Sequence, residues 1–254
     1  MLGKLFGWRG DKARPPAIFD ADPAPAEPVV AIGDIHGRDD LLARLLDRIG
    51  ADDPAVALVF LGDYVDRGEH SAAVLRRLAR LSADWSGPVT FLMGNHERMM
   101  LDFLATPAQS AGRWLRSGGL QTLASFAVGG IAEAPGAEEA SAAAARLRAA
   151  MGDDLIGWLD GLVLQYASGN VHFVHAAADP VLPMAAQDPR ALLWGHPAFA
   201  ATLRQDGQFV VHGHTVVDAP AVTAGRVAVD TGAWFTGRLT AARIAPGEIG
   251  FVTC

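Results

Sequence analysis

The first half of the chain repeats one pattern of apolar and polar positions. Three short apolar runs, at 29–32, 56–61 and 89–93, each lead into a glycine. Runs of this kind are typical of buried parallel strands. After the first run, leucines and an isoleucine recur over 41–49 at the spacing of one helix face. The pattern predicts a β-α-β-α-β arrangement with three parallel strands.

A polar motif follows each predicted strand. The motifs read Gly-Asp-Ile-His-Gly at 33–37, Gly-Asp-Tyr-Val-Asp-Arg-Gly at 62–68 and Gly-Asn-His-Glu at 94–97. They lie about 30 residues apart, the length of one βαβ unit, so the carboxyl ends of neighbouring strands bring them to one edge of a sheet. Carboxylate, amide and imidazole groups without thiolate suit Mn²⁺, Fe or Zn²⁺. We therefore predict a two-metal site that cleaves phosphoesters.

The second half supplies further imidazoles at predicted strand ends. Segment 170–176 alternates with period two, and segment 209–215 has the pattern of a strand that runs into a glycine turn. His175 and His214 stand where those strands end. His172 and His212 lie within the strands, which favours structural or supporting roles for both. The short β-like runs at 227–229, 238–244 and 249–253 indicate a second sheet packed on the first. The expected fold is α/β, a two-sheet sandwich flanked by helices with a small helical cap.

Composition and segment boundaries indicate one globular domain. Residues 1–27 are expected to form a flexible tail and 28–254 a single domain, with a helical insert at about 99–160. The one cysteine, Cys254, excludes an internal disulfide and favours a cytoplasmic location. A net charge of −7 argues against nucleic acid as a partner. No apolar stretch has the length of a membrane span, so stable membrane insertion is not expected, and nothing in the sequence sets an oligomeric state.

Together these motifs resemble the calcineurin-like metallophosphoesterases, and specifically the phosphoprotein phosphatase branch of bacterial serine/threonine protein phosphatases. The Asp-Arg-Gly at 66–68 and the Asn-His-Glu at 95–97 are the pieces that define the branch. The resemblance covers most of residues 28–245. It implies two divalent metal ions, Mn²⁺ in the first place with an Fe/Zn-type pair as the alternative.

The resemblance also implies a role for each matching residue. One ion would be held by Asp34, His36 and Asp63, and the other by Asp63, Asn95, His175 and His214, so that Asp63 bridges the two. The reaction would be direct attack of a dimetal-bound hydroxide on phosphorus. His96 would protonate the leaving group, Asp66 would orient that imidazole, and Arg67 would grip the phosphate with its planar fork.

The role of one further residue is open, and two positions depart from the family pattern. Arg38 either binds phosphate or lies in solvent. His196 stands where the bacterial phosphatases usually carry a second phosphate-binding arginine, two residues after Trp194, and a neutral imidazole offers one donor where guanidinium offers five. Ala176-Ala177 replaces the usual Ala-Gly after the ligand histidine, which would cost about 1 kcal/mol if that site needs positive φ.

Three functions follow as hypotheses. The leading one is a metal-dependent phosphomonoesterase that dephosphorylates phosphoserine and phosphothreonine in proteins and also cleaves small phosphoesters. The alternative is a dinucleoside tetraphosphate hydrolase, which a base-stacking aromatic with a basic pair would indicate. A non-catalytic phosphate-binding scaffold, silenced by the change at His196, is the third.

Overall fold

A computed structural model describes residues 18–254, and within them the predicted two-sheet α/β fold is confirmed. The first sheet has the order β10-β9-β1-β2-β3 and the second the order β4-β5-β6-β8-β7. The strands are β1 Val29–Ile32, β2 Ala57–Phe60, β3 Val89–Phe91, β4 Gln165–Ser168, β5 Val171–Val174, β6 Phe209–His212, β7 Ala221–Thr223, β8 Arg226–Ala228, β9 Thr240–Ala245 and β10 Glu248–Thr253.

Helices connect these strands, and most of them cover the first sheet. They are α1 Asp39–Asp52, α2 Ser71–Asp84, α3 Asn95–Ala105, α4 Pro107–Trp114, α5 Leu120–Ser125, α6 Ala137–Met151, α7 Asp153–Asp160, α8 Pro189–Trp194 and α9 Ala233–Thr236. A kinked link at Leu115–Gly119 joins α4 to α5. The segment from α4 to α7 lies where the sequence places the helical insert. No helix among residues 18–254 has the length and apolar content needed to cross a bilayer.

Alternate residues of the parallel strands enter two different cores. In β1, Val29 and Ala31 pack between the sheets, whereas Val30 and Ile32 pack under the helices. Because both faces of β1 are buried, its sequence is continuously apolar instead of alternating. β1, β2 and β3 are parallel neighbours, as the spacing predicted, and so are β5 and β6. Their carboxyl ends therefore meet at one edge of the sandwich.

The two C-terminal strands correct one expectation. β9 and β10, expected in the second sheet, belong to the first, where β9 runs antiparallel to β1 and β10 forms a hairpin with β9. β1 pairs with β2 on one side only, and its other edge would carry unpaired backbone groups without β9. Of the three tail runs, only the first, β8, lies in the second sheet.

The described part of the segment expected to form a tail contacts the sandwich. Residues 1–17 lie outside the described residues, but residues 18–27 are fixed to the sandwich. Phe19 meets Phe209 edge to face at 4.9 Å. Ala24 donates its backbone N–H to Asn170 at 2.7 Å, and Ala26 donates to Ser168 at 2.9 Å. Proline and alanine dominate this segment, yet its backbone hydrogen bonds tie it to the edge of β4 and β5.

Candidate functional site

Five strand ends deliver the predicted ligand residues to one place. Asp34 and His36 follow β1, Asp63 follows β2, Asn95 begins α3 after β3, and His175 and His214 follow β5 and β6. Within the described residues, two sets of ligand atoms lie within 4.8 Å of one another: His36, Asp63 and His96, and Asp63, His175 and His214. Asp63 belongs to both sets. It thus occupies the position expected of a bridging ligand.

Asn95 and Asp34 complete the cluster in different ways. The Oδ1 of Asn95 lies 2.9 Å from Nε2 of His175 and 2.9 Å from Nδ1 of His214. Asp34 lies outside the two compact sets and accepts the backbone N–H of His214 with both oxygens, each at 3.1 Å. Asp34 therefore ties the end of β1 to the end of β6.

The hydrogen bonds of the histidines leave lone pairs that face one another. His175 donates Nδ1–H to the carbonyl of Leu61 at 2.9 Å, so its Nε2 is unprotonated, and this atom faces Asn95 Oδ1 and, at 3.4 Å, Asp63 Oδ1. His36 likewise donates Nδ1–H to Val65 at 2.7 Å and turns Nε2 toward Asp63. Acceptors this close repel unless a cation lies between them. The donor set therefore fits two divalent metal ions.

The pKa values of the histidines divide them into two groups. Burial lowers the pKa of His36 to about 3 and that of His214 to about 4, and it also lowers the pKa of His175. Burial acts the same way on His96, but the nearby carboxylates of Asp63 and Asp66 outweigh it and raise the pKa of His96. Neutral imidazoles are what metal ligation requires, and a protonated one is what an acid requires.

Unusual backbone conformations concentrate at this edge. Seven non-glycine residues among those described have positive φ, and five are His36, Asp63, Asp66, Arg67 and His214. Each such conformation costs on the order of 1–3 kcal/mol and persists only where its surroundings enforce it. Ala176 and Ala177 are not among the seven, so the replaced glycine brings no strain at this position.

One buried carboxylate, which sequence reasoning missed, holds the backbone of the second motif in place. Glu97 accepts the backbone N–H groups of Asp63 at 2.8 Å, Tyr64 at 2.8 Å, Val65 at 3.1 Å and Gly94 at 3.0 Å. A Cβ at Gly94 would collide with Asp63, so only glycine allows this approach. A glutamate three residues after a helix N-cap is the sequence signal that pointed to this role.

A dyad of His96 and Asp66 stands beside the ligand cluster. His96 donates Nδ1–H to Asp66 at 2.7 Å, and its Nε2 lies 3.2 Å from Nη2 of Arg67. Both members are almost fully buried. The side chain of Arg67 thus reaches the imidazole nitrogen that faces the cluster, since the same Nε2 lies 3.8 Å from Oδ2 of Asp63.

The helical segment after α3 holds this dyad in place through hydrogen bonds to Asp66. Trp114, at the end of α4, donates Nε1–H to Asp66 at 2.9 Å, and Thr122, in α5, donates its hydroxyl to Asp66 at 2.7 Å. The kink between these helices is set by Gly118, whose φ is 110° and whose carbonyl accepts the N–H of Arg67. Trp114 and Thr122 thus hydrogen-bond a site residue from the helical insert.

Two predicted substrate-binding residues are engaged elsewhere. Arg38 bonds Asp40 through two nitrogens, each at 2.8 Å, and the carbonyl of Ala233 through a third at 2.9 Å. His196 faces Asp179 at 3.6 Å and lines a cavity of about 490 Å³, whose lining includes none of the ligand residues. Arg38 does share a cavity with Arg67.

His172 and His212 have the structural surroundings that their positions predicted. His172 is half-buried within β5 and bonds Gln208 at 2.8 Å. His212 is buried at the end of β6, where it meets Phe199 edge to face at 5.0 Å.

Comparison with known proteins gives a consistent family signal. A family model described as calcineurin-like phosphoesterase matches residues 27–218. The serine/threonine-protein phosphatase BSL2 of Arabidopsis thaliana is 36% identical over 88 residues, which are 32% of this chain and 9% of that protein. A proposed serine/threonine-protein phosphatase of Schizosaccharomyces pombe is 45% identical over 70 residues, 28% of this chain and 22% of that protein. The chain therefore matches only a small part of the length of these curated relatives.

Solved structures share the fold at low sequence identity. A proposed diadenosine tetraphosphatase superposes with a TM-score of 0.62 and 20% identity, covering 92% of this chain and 98% of that one. A cold-active protein-tyrosine phosphatase of a Shewanella species gives a TM-score of 0.59 at 19% identity and covers 90% of this chain and 81% of that one. A serine/threonine phosphatase from Saccharomyces cerevisiae gives 0.57 at 15% identity and covers 90% and 80%.

Asp63→Asn tests whether Asp63 contributes to both candidate metal sites. We expect the wild-type chain to bind about two Mn²⁺ ions and the variant at most one, because an amide offers one oxygen ligand without charge. Metal content after equilibrium dialysis measures this, with exposed Asp84→Asn as the control. Two ions bound by Asp63→Asn with unchanged affinity would remove Asp63 from the bridging position.

Glu97→Gln tests how much the four backbone hydrogen bonds to Glu97 stabilise the fold. The glutamine amide keeps one acceptor oxygen and turns NH₂ toward two N–H donors, so the free energy of unfolding should fall by about 2–4 kcal/mol. Urea denaturation of the metal-free protein measures it. Glu69→Gln, at an exposed loop position, should change the value by less than about 0.5 kcal/mol. A loss at Glu97 as small as that of the control would show that its four bonds are dispensable.

Proposed function

The chain belongs to the calcineurin-like phosphoesterase family, and from that premise we propose that it is a metal-dependent phosphomonoesterase that dephosphorylates phosphoserine and phosphothreonine in proteins. The observation that carries the proposal is the placement of the His96–Asp66 dyad and Arg67 against a donor set for two cations. The short matches to serine/threonine phosphatases support the choice of substrate.

The ligand residues identify the cofactor by their chemistry. Asp34, His36 and Asp63 would hold one ion, and Asn95, His175 and His214 would hold the other together with Asp63. Nitrogen and oxygen donors without sulfur favour Mn²⁺, with an Fe/Zn-type pair as the alternative. When bound, such a pair lowers the pKa of water and stabilises negative charge on the transferred phosphoryl group.

Residues of the chain would protonate the leaving group and bind the phosphate. Nδ1–H of His96 is held by Asp66, so a protonated His96 would present its Nε2–H to the leaving oxygen once Arg67, which donates to that nitrogen in the structure, turns to the phosphate. The carboxylates of Asp63 and Asp66 raise the pKa of His96, which favours the protonated form. Arg67, whose Nη2 lies beside the same nitrogen, would bind phosphate oxygens and align the leaving group with His96.

The proposal also includes a cellular location and a class of partners. We place it in the cytoplasm, which suits a chain with a single cysteine. Its partners are phosphoprotein or small phosphoester substrates rather than nucleic acid, given the net charge of −7.

One observation favours the second candidate, a dinucleoside tetraphosphate hydrolase. Trp234, Arg67 and Arg38 line a single cavity of about 400 Å³, which brings an aromatic ring and two basic residues together. Against it, the Arg38 guanidinium is already bonded to Asp40 and to the carbonyl of Ala233. The remaining basic group for extra phosphates is His70, next to Glu69.

Turnover by the Mn²⁺-loaded protein tests the choice. Phosphate release from a panel of phosphoserine and phosphothreonine peptides is compared, at one enzyme concentration, with the splitting of diadenosine tetraphosphate into its nucleotide products, and the peptides should be cleaved at least about 10-fold faster in kcat/KM. Faster dinucleotide turnover would transfer the proposal to the second candidate. If an activated aryl phosphate also stays intact, the scaffold hypothesis applies, and it predicts that His196→Arg restores turnover.

His96→Asn tests the acid. Turnover of esters with poor leaving groups should fall about 100- to 1,000-fold, and that of activated aryl esters less than about 10-fold, because a good leaving group needs no proton. Metal content should stay at the wild-type level. The control is His172→Asn, a half-buried histidine in β5 away from the ligand cluster. Equal slowing across leaving groups would exclude His96 as the acid.

A further inference from the structure

An exposed aromatic pair stands beside the reactive centre. Trp234 and Phe235 in α9 are 41% and 57% exposed, and they are the only aromatic residues among the exposed large apolar side chains that the structure describes. Their rings meet edge to face at 5.1 Å. Large aromatic surfaces left in water next to a functional site are typical of binding surfaces.

The position of Trp234 connects it to the leaving-group side of the site. Its ring centre lies 5.7 Å from the guanidinium carbon of Arg67, and Nη2 of Arg67 lies 3.2 Å from Nε2 of His96. The indole is thus separated by one guanidinium group from the nitrogen proposed to protonate the leaving oxygen. A group attached to that oxygen would extend toward the indole.

The backbone around Trp234 is held before any substrate arrives. Arg38 donates to the carbonyl of Ala233 at 2.9 Å, at the first residue of α9. The hydroxyl of Thr236 donates to the carbonyl of Thr231 at 2.7 Å, which closes the other end of the turn. Arg38 therefore has a defined task in supporting α9, and the indole is presented from a fixed backbone, which reduces the ordering cost of binding.

The charges of the shared cavity indicate what the indole contacts. Arg38 and Arg67 are matched there by Asp40 and Glu69. Asp40 already neutralises Arg38. Arg67 is needed for the phosphate that reacts. Little positive charge remains for additional phosphates, so an uncharged group suits this cavity better than a polyphosphate chain.

Resting on the function proposed above, we infer that Trp234 forms a substrate subsite that binds an aromatic side chain next to the phosphorylated serine or threonine. One residue of extended chain spans about 3.3–3.6 Å, so a neighbouring side chain can reach the indole while the phosphate stays beside Arg67. An indole prefers an aromatic ring to an aliphatic side chain of similar size because the rings attract beyond the burial of area.

Matched phosphoserine peptides with phenylalanine, leucine or alanine as the next residue test the subsite. The Mn²⁺-loaded wild-type chain should favour phenylalanine over leucine by about 3- to 10-fold in kcat/KM. Trp234→Leu should bring that ratio to about one, and Trp234→Phe, which keeps a ring, should retain most of the preference. Binding of the same peptides with phosphonomethylalanine, a non-hydrolysable phosphoserine mimic, should show the same ratios by calorimetry.

Three results would overturn the subsite. The first is a wild-type chain that treats phenylalanine and leucine alike in binding. The second is a Trp234→Leu variant that weakens all three peptides in proportion, since Trp234 would then only position Arg67. The third is a variant that slows diadenosine tetraphosphate while keeping the peptide preference, which would assign the indole to a nucleobase. Failure of the proposed function differs from these, because the phosphopeptides would then stay uncleaved whatever the calorimetry shows.

Discussion

The hydrogen bonds of Glu97 are the interaction on which the rest of the site depends. Its carboxylate gathers N–H groups from two motifs and so fixes the segment after β2 against the start of α3. That segment includes Asp63 in a left-handed conformation that a free chain seldom adopts. Without the bonds to Glu97, Asp63 would relax toward ordinary backbone geometry. The lone pairs that face a common point would then separate.

A second set of hydrogen bonds joins the helical insert to the proposed acid, His96, through Asp66. Asp66 accepts hydrogen bonds from Trp114 and Thr122, on either side of the kink at Gly118, as well as from His96. Burial raises the pKa of the Asp66 carboxyl, and the bonds from His96 and Thr122 oppose that effect. The insert therefore helps to keep Asp66 ionised inside the protein. Its sequence is under chemical constraint as well as packing constraint.

The sequence predicted the parallel half of the fold and the residues that meet there, because both follow from local patterns. Strand length, terminal glycines and the spacing of the motifs carry that information. The sheet to which β9 and β10 belong does not follow from a period-two pattern, which marks a strand without naming its partner. Neither do the bonds from Trp114 and Thr122 to Asp66, which span about 50 positions and depend on how the insert packs. His196 shows the same limit, since its place in the motif did not reveal that it faces Asp179.

Environment, more than residue type, assigns the histidines their proposed roles. His36, His175 and His214 each lose proton affinity on burial, whereas His96 gains it from two carboxylates. His36 and His96 are close enough for their rings to meet edge to face at 4.7 Å, yet their pKa values move in opposite directions. The difference lies in the partner of Nδ1, which is the carbonyl of Val65 for His36 and the carboxylate of Asp66 for His96. An imidazole bonded to a neutral carbonyl stays neutral and can bind a cation. An imidazole bonded to a carboxylate more readily holds the proton that an acid donates.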